Sequence, residues 1–234
     1  MINKPIPFLD EPKIVEAINI THSPFIKVTD NEFLIIAMQY PLLNMKNAIN
    51  DCYMRIEVYE KLKEASKLLP RGYKFKILDA YRPFALQKEL YDLYKVELIN
   101  KYHLENKSEE EVDDFIKRFI SLPNHNSLLP PVHTTGGAID LTIVDEDENE
   151  LEMGTEFDEF SDKTLTAFYE KNGDTHIKTN RRMLYNIMIS VGFTNLPSEW
   201  WHYDYLDRFY AYYNNKEASY EGIFTLEEVL SYNK

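Results

Sequence analysis

The spacing of hydrophobic and polar positions changes period several times along this chain. Residues 51–69, DCYMRIEVYEKLKEASKLL, place Ile56, Tyr59, Leu62, Ala65 and Leu69 at three- and four-residue steps, which predicts an amphipathic helix. Pro70 and Gly72 end it, and YKFKILDA (73–80) then alternates charged and apolar side chains, the period-two pattern of a half-buried strand. Pro83 stops that strand and leaves Asp79, Tyr81 and Arg82 at its C-terminal end. From Phe84 to about Ile120 the sequence turns rich in Lys and Glu and predicts a helical pair, the second helix opened by a capping box of Ser108 and Glu111. SLPNHNSLLPPV reads as loop, GAIDLTIV as a buried strand ended by the acidic turn DEDENE, and NRRMLYNIMISV (180–191) as a helix closed by Gly192. Strands and helices in no strict alternation predict an α+β fold: a small antiparallel sheet flanked by helices, one domain over residues 1–234 with a helical insertion at 84–127.

Composition narrows the function classes. The chain has 234 residues, 44% of them hydrophobic and 14% aromatic, enough to bury a sizeable core and too apolar for disorder. A formal net charge of -13 argues against a nucleic-acid partner, because phosphate binding relies on clustered Lys and Arg. Cys52 is the single cysteine, so an intrachain disulfide and a Cys-rich zinc knuckle are both excluded; it reads as a small buried hydrophobe. No stretch is long and apolar enough to span a membrane, and the N-terminus lacks an uninterrupted apolar signal, so the expected location is cytoplasmic.

The chemistry concentrates in two stretches. In HTTGGAID (133–140), a regular strand would put His133 and Asp140 roughly 23 Å apart on opposite faces. Gly136 and Gly137 can break the strand and turn His133 back toward Asp140. Taken alone, the pair reads better as a carboxylate that merely ends a strand than as a ligand set. PSEWWHYDY (197–205) adds Glu199 three positions before His202, among aromatics that read partly as core. Two His and one Asp would give Zn²⁺ three protein ligands and leave a fourth position for water, the arrangement of a catalytic site. Glu199 would then stand free to take a proton from the water and pass it to a leaving amine. Arg82, unless it is a surface residue paired with Asp79, could stabilise the oxyanion of a peptide transition state. His22, His103, His125 and His176 lie outside these stretches and read as surface or loop residues, and DEDENE lacks the glycine of a calcium loop.

Together, DAYRP (79–83), HTTGGAIDLT (133–142), MGTEFD (153–158) and EWWH (199–202) resemble, in the same order, the zinc D-alanyl-D-alanine dipeptidases of the vancomycin-resistance type, peptidase family M15. The resemblance covers about residues 35–215. It implies that His133, Asp140 and His202 bind one zinc ion per chain, that Glu199 is the general base and acid, and that Arg82 assists the transition state. It also implies that Asp158 lies near the substrate's ammonium group; from the residues alone a turn or helix-capping acid is an equal reading. Where the family has a serine two residues before the first zinc histidine, this chain has Pro131, which offers neither a hydroxyl nor an N–H. The function expected is hydrolysis of the D-alanyl-D-alanine dipeptide by a zinc-bound water. The alternatives are a D,D- or L,D-carboxypeptidase acting on peptidoglycan peptides and a non-catalytic zinc-stabilised binding domain. The partner expected is a small D,D-dipeptide, with a homo-oligomer left open.

Overall fold

The computed structural model describes residues 2–117 and 120–233. The strands among the described residues are β1 (Phe25–Val28), β2 (Leu34–Ile36), β3 (Cys52–Arg55), β4 (Lys74–Asp79), β5 (Ala138–Val144), β6 (Thr194–Asn195) and β7 (His202–Asp204). The helices among the described residues are α1 (Gln39–Leu42), α2 (Ile56–Ser66), α3 (Phe84–Tyr102), α4 (Glu109–Ile116), α5 (Phe168–Lys171), α6 (Thr175–Ser190), α7 (Arg208–Asn214) and α8 (Leu226–Ser231). The α+β class expected from the sequence holds. A five-stranded sheet runs in the order β2-β4-β5-β7-β6, antiparallel except for β2 beside β4, and β1 and β3 form a separate antiparallel pair.

Alternation along β5 sorts core from site. Ile139, Leu141 and Ile143 join Val58, Leu62 and Ala65 of α2 and Leu184, Ile187 and Met188 of α6 in the main hydrophobic core. Asp140, between them in sequence, points the other way, into a cavity that Gln87 and Tyr94 of α3 also line. A second apolar cluster joins α3 to α4 through Leu86, Leu90, Leu98, Val112 and Ile116, and Tyr40 belongs to it. The capping box at Ser108 and Glu111 is present as expected. α6 begins earlier than its apolar periodicity suggests, because the Asp174 side chain caps it by accepting from the His176 N–H.

The helix expected over 51–69 is corrected at its start. Cys52–Arg55 is a strand, paired with β1 from Phe25↔Arg55 to Val28↔Cys52, and the helix occupies Ile56–Ser66. Arg55, at the junction, is wholly buried. Its guanidinium donates to the carbonyls of Thr135 (2.7 Å), Ser23 (2.6 Å) and Glu221 (3.5 Å) and lies against the rings of Phe25, Tyr220 and Tyr232. Its backbone N–H donates to Gly136 O. Among the described residues it has no carboxylate partner; carbonyl dipoles and aromatic faces satisfy the charge instead.

Candidate active site

Three adjacent strands deliver polar residues side by side, because Asp79 on β4 is opposite Asp140 on β5, and Asp140 is opposite His202 on β7. A register shift between Ile77 and Asp79 brings the first of these into line. His133 arrives from outside the sheet, on a 3-10 turn at Val132–Thr135 that Gly136 ends at φ +71, a left-handed conformation that glycine adopts without strain. A side chain at Gly137 would meet the Tyr205 carbonyl at 2.6 Å, so the close approach of β5 to that backbone requires glycine as well. The two glycines thus break the strand where the sequence requires it.

His133, Asp140 and His202 are buried and offer ligand atoms that all lie within 4.8 Å of one another. Each imidazole is oriented from behind. His133 Nδ1 is 2.8 Å from the Ala80 carbonyl, which can only accept, so Nδ1 carries the proton and Nε2 is the free lone pair. His202 Nε2 lies 2.9 Å from Asp204, which leaves Nδ1 facing Asp140 Oδ1 at 2.9 Å and His133 Nε2 at 3.2 Å. His133 Nε2 and His202 Nδ1 therefore face each other and the Asp140 carboxylate, and two imidazoles and one carboxylate are a donor set that suits zinc. Burial works against ionisation of Asp140, but His133 and His202 outweigh it and hold its carboxyl well below the usual range.

Glu199 approaches the trio without joining it. Its Oε2 is 3.8 Å from His202 Nδ1, and its side chain retains 22% exposure toward the cavity. Burial, with Asp140 and Asp158 nearby, pushes its carboxyl up to about 8 against the opposing pull of His202 and Arg82. The turn that carries it is pinned by Asn195, whose amide donates to the carbonyls of both Glu199 and His202. Trp200 and Trp201 pack into the core, as expected for part of this stretch.

The Arg82–Asp79 pair exists, but buried rather than on the surface: Nε and Nη2 lie 2.8 and 2.7 Å from Asp79 Oδ2. Nη1 donates to Gln87 Oε1 at 2.8 Å, and Nη2 lies 3.1 Å from the Tyr40 hydroxyl and 3.7 Å from Asp140 Oδ2. The guanidinium is thus a fixed positive charge at the edge of the trio. Asp158 completes the ring, with Tyr40 and Tyr94 donating to its Oδ2. Its carboxyl is raised to about 6 by burial and by Asp140, while Arg82 and the two phenols pull the other way. These residues surround a cavity of about 40 Å³, which shares Asp158 and Glu199 with a neighbouring chamber of about 190 Å³ lined by Glu11, Asp162 and Leu165.

All six residues singled out in the sequence therefore line one cavity. Sequence reasoning missed Tyr40, Gln87 and Tyr94, for which no local motif gives a signal, and Asp204, whose signal is its place two residues after His202. His22, His103, His125 and His176 line neither the cavity nor the chamber.

Residues 43–220 match the model of the peptidase M15 family, D-ala-D-ala dipeptidase. The chain belongs to this family. A D-alanyl-D-alanine dipeptidase of Synechocystis sp. is 33% identical over 162 residues, 63% of this chain and 66% of that protein. D-alanyl-D-alanine dipeptidases of Escherichia coli and Enterococcus faecalis are each 40% identical, over 72 and 85 residues. The chain spans just under two thirds of the first relative's length and 36% and 41% of the other two. Among solved structures, VanYB in complex with D-Alanine-D-Alanine aligns with 81% of this chain and 88% of its own at 17% identity and a TM-score of 0.40.

Proposed function

We propose that this member of the family is a zinc-dependent dipeptidase that hydrolyses D-alanyl-D-alanine to D-alanine, working as one peptidase domain in which α3 walls the substrate site through Gln87 and Tyr94. The observation that carries the reading is the convergence of His133 Nε2, Asp140 and His202 Nδ1, with a half-buried carboxylate on one side and a fixed guanidinium on the other. A purely structural zinc needs neither Glu199 nor Arg82.

His133, Asp140 and His202 would hold the zinc. When bound, it supplies Lewis acidity to water and to the scissile carbonyl. Glu199 takes the proton of the attacking water as its oxygen bonds to the carbonyl carbon, and returns that proton to the amide nitrogen as the C–N bond breaks. Arg82 balances the negative charge on the carbonyl oxygen. Asp158 receives the substrate's ammonium group. Two molecules of D-alanine leave.

Zinc-reconstituted protein tests the reading directly. Fast cleavage of free D-Ala-D-Ala, with L-Ala-L-Ala and N-acetyl-D-Ala-D-Ala left intact, is expected. Cleavage of the blocked peptide favours the second reading, a carboxypeptidase for longer D,D- or L,D-peptides, which the neighbouring chamber and Pro131 support. No cleavage by fully loaded protein overturns both readings and leaves a binding domain.

A further inference from the structure

The role of Asp158 is built from contacts that no motif describes. Its backbone sits at φ +57, a left-handed conformation that costs a non-glycine residue energy and persists where the surroundings impose it. Tyr40 and Tyr94 donate to the same oxygen, Oδ2, at 2.8 and 2.9 Å. The direction of the first bond is fixed, because Arg82 Nη2, which can only donate, occupies the Tyr40 oxygen at 3.1 Å and leaves the phenol proton for Asp158. Among the described residues no hydrogen bond reaches Oδ1, yet Asp158 lines the same cavity as Arg82, His133 and Glu199. Tyr94 comes from α3, which Leu90 and Leu98 anchor in the second apolar cluster. Pro131, whose side chain has no polar atom, lines the same cavity.

We propose that Tyr94 and Tyr40 are positioning residues, a two-phenol clamp on Oδ2 that leaves Oδ1 of Asp158 as the receptor for an unblocked primary amine. In this arrangement α3, not position 131, sets the requirement for a free amino terminus. The proposal rests on the dipeptidase reading for its substrate. The groups that face Asp158 are Arg82, Asp140, Glu199 and the two phenols.

The test compares zinc-loaded Tyr94→Phe and Tyr40→Phe with the wild type on free D-Ala-D-Ala, with kcat and KM measured across the acid limb of the pH profile. Loss of one hydrogen bond to a charged group should raise KM about 10-fold, with kcat changed less than about twofold. The acid limb should also move to higher pH, because a phenol donor stabilises the ionised carboxylate. Unchanged KM and an unmoved limb in both variants overturn the clamp. If wild-type protein leaves the free dipeptide intact, the activity reading falls, and the clamp is decided by carbon-13 NMR titration of the Asp158 carboxyl. A midpoint raised in Tyr94→Phe supports it, and an unmoved midpoint overturns it.

Discussion

Asp204 Oδ1 lies 2.9 Å from His202 Nε2, on the edge of the ring that faces away from Asp140. The carboxylate is wholly buried, two residues from the histidine it orients, and holds the ring with Nδ1 turned toward Asp140 and His133.

Removing that partner should weaken zinc binding. We expect Asp204→Ala to lower zinc affinity by about 10- to 100-fold, the range for partners behind metal-ligating histidines. Asp204→Asn, which keeps an acceptor, should lose less. Competition with a chromophoric chelator measures both.

Glu199→Ala should leave folding and zinc content intact while reducing turnover of D-Ala-D-Ala by at least about 100-fold, the low end for a general acid-base group. Zinc titration alongside the rate separates the two roles. A variant that loses the metal would make Glu199 a ligand instead.

The Asp158 carboxyl, raised to about 6, gives a pH dependence with a defined sign. Because its folded value lies above that of an unfolded aspartate, its contribution to stability is fully present below about pH 4 and is lost as pH rises through about 6. Amine binding runs the other way, since the ionised form predominates above that value. We expect KM for the free dipeptide to rise as pH falls below about 6. Asp158→Asn should show a high KM without that limb, which steady-state kinetics against pH will establish.

Gly137→Ala should cost about 2–4 kcal/mol, since the added carbon would stand 2.6 Å from the Tyr205 carbonyl, a backbone atom that cannot swing aside. Denaturant unfolding gives the cost. A parallel loss of zinc affinity is expected, because the strain falls on the turn that carries His133.

The parts of this site that were legible in the sequence are those fixed by local chemistry. Gly136 and Gly137 announce a broken strand, and Glu199 and His202 lie three residues apart on one turn. Tyr40 could not be read this way, because its partner Asp158 is 118 residues distant and only the fold joins them. The segment at 52–55 was misleading for a related reason. The helical periodicity is real from Ile56 onward, but the four residues before it pair with β1, and such pairing overrides local preference. For Arg82 the sequence offers a surface pair with Asp79 as the alternative to a site role; the pair forms, but in the interior, where Gln87 of α3 and Tyr40 of α1 also bond the guanidinium.

Arg55 ties parts of the molecule that the family comparison leaves out. The matched span is 43–220, yet the groups around this guanidinium include Ser23 and Phe25 before it and Glu221 and Tyr232 after it. Its remaining bonds go to Thr135 and Gly136, beside His133. A fragment trimmed to the matched span would strand a cation in an opened interior, next to the turn that carries His133. For anyone shortening or fusing this protein, both flanking segments therefore help to hold the turn that carries His133.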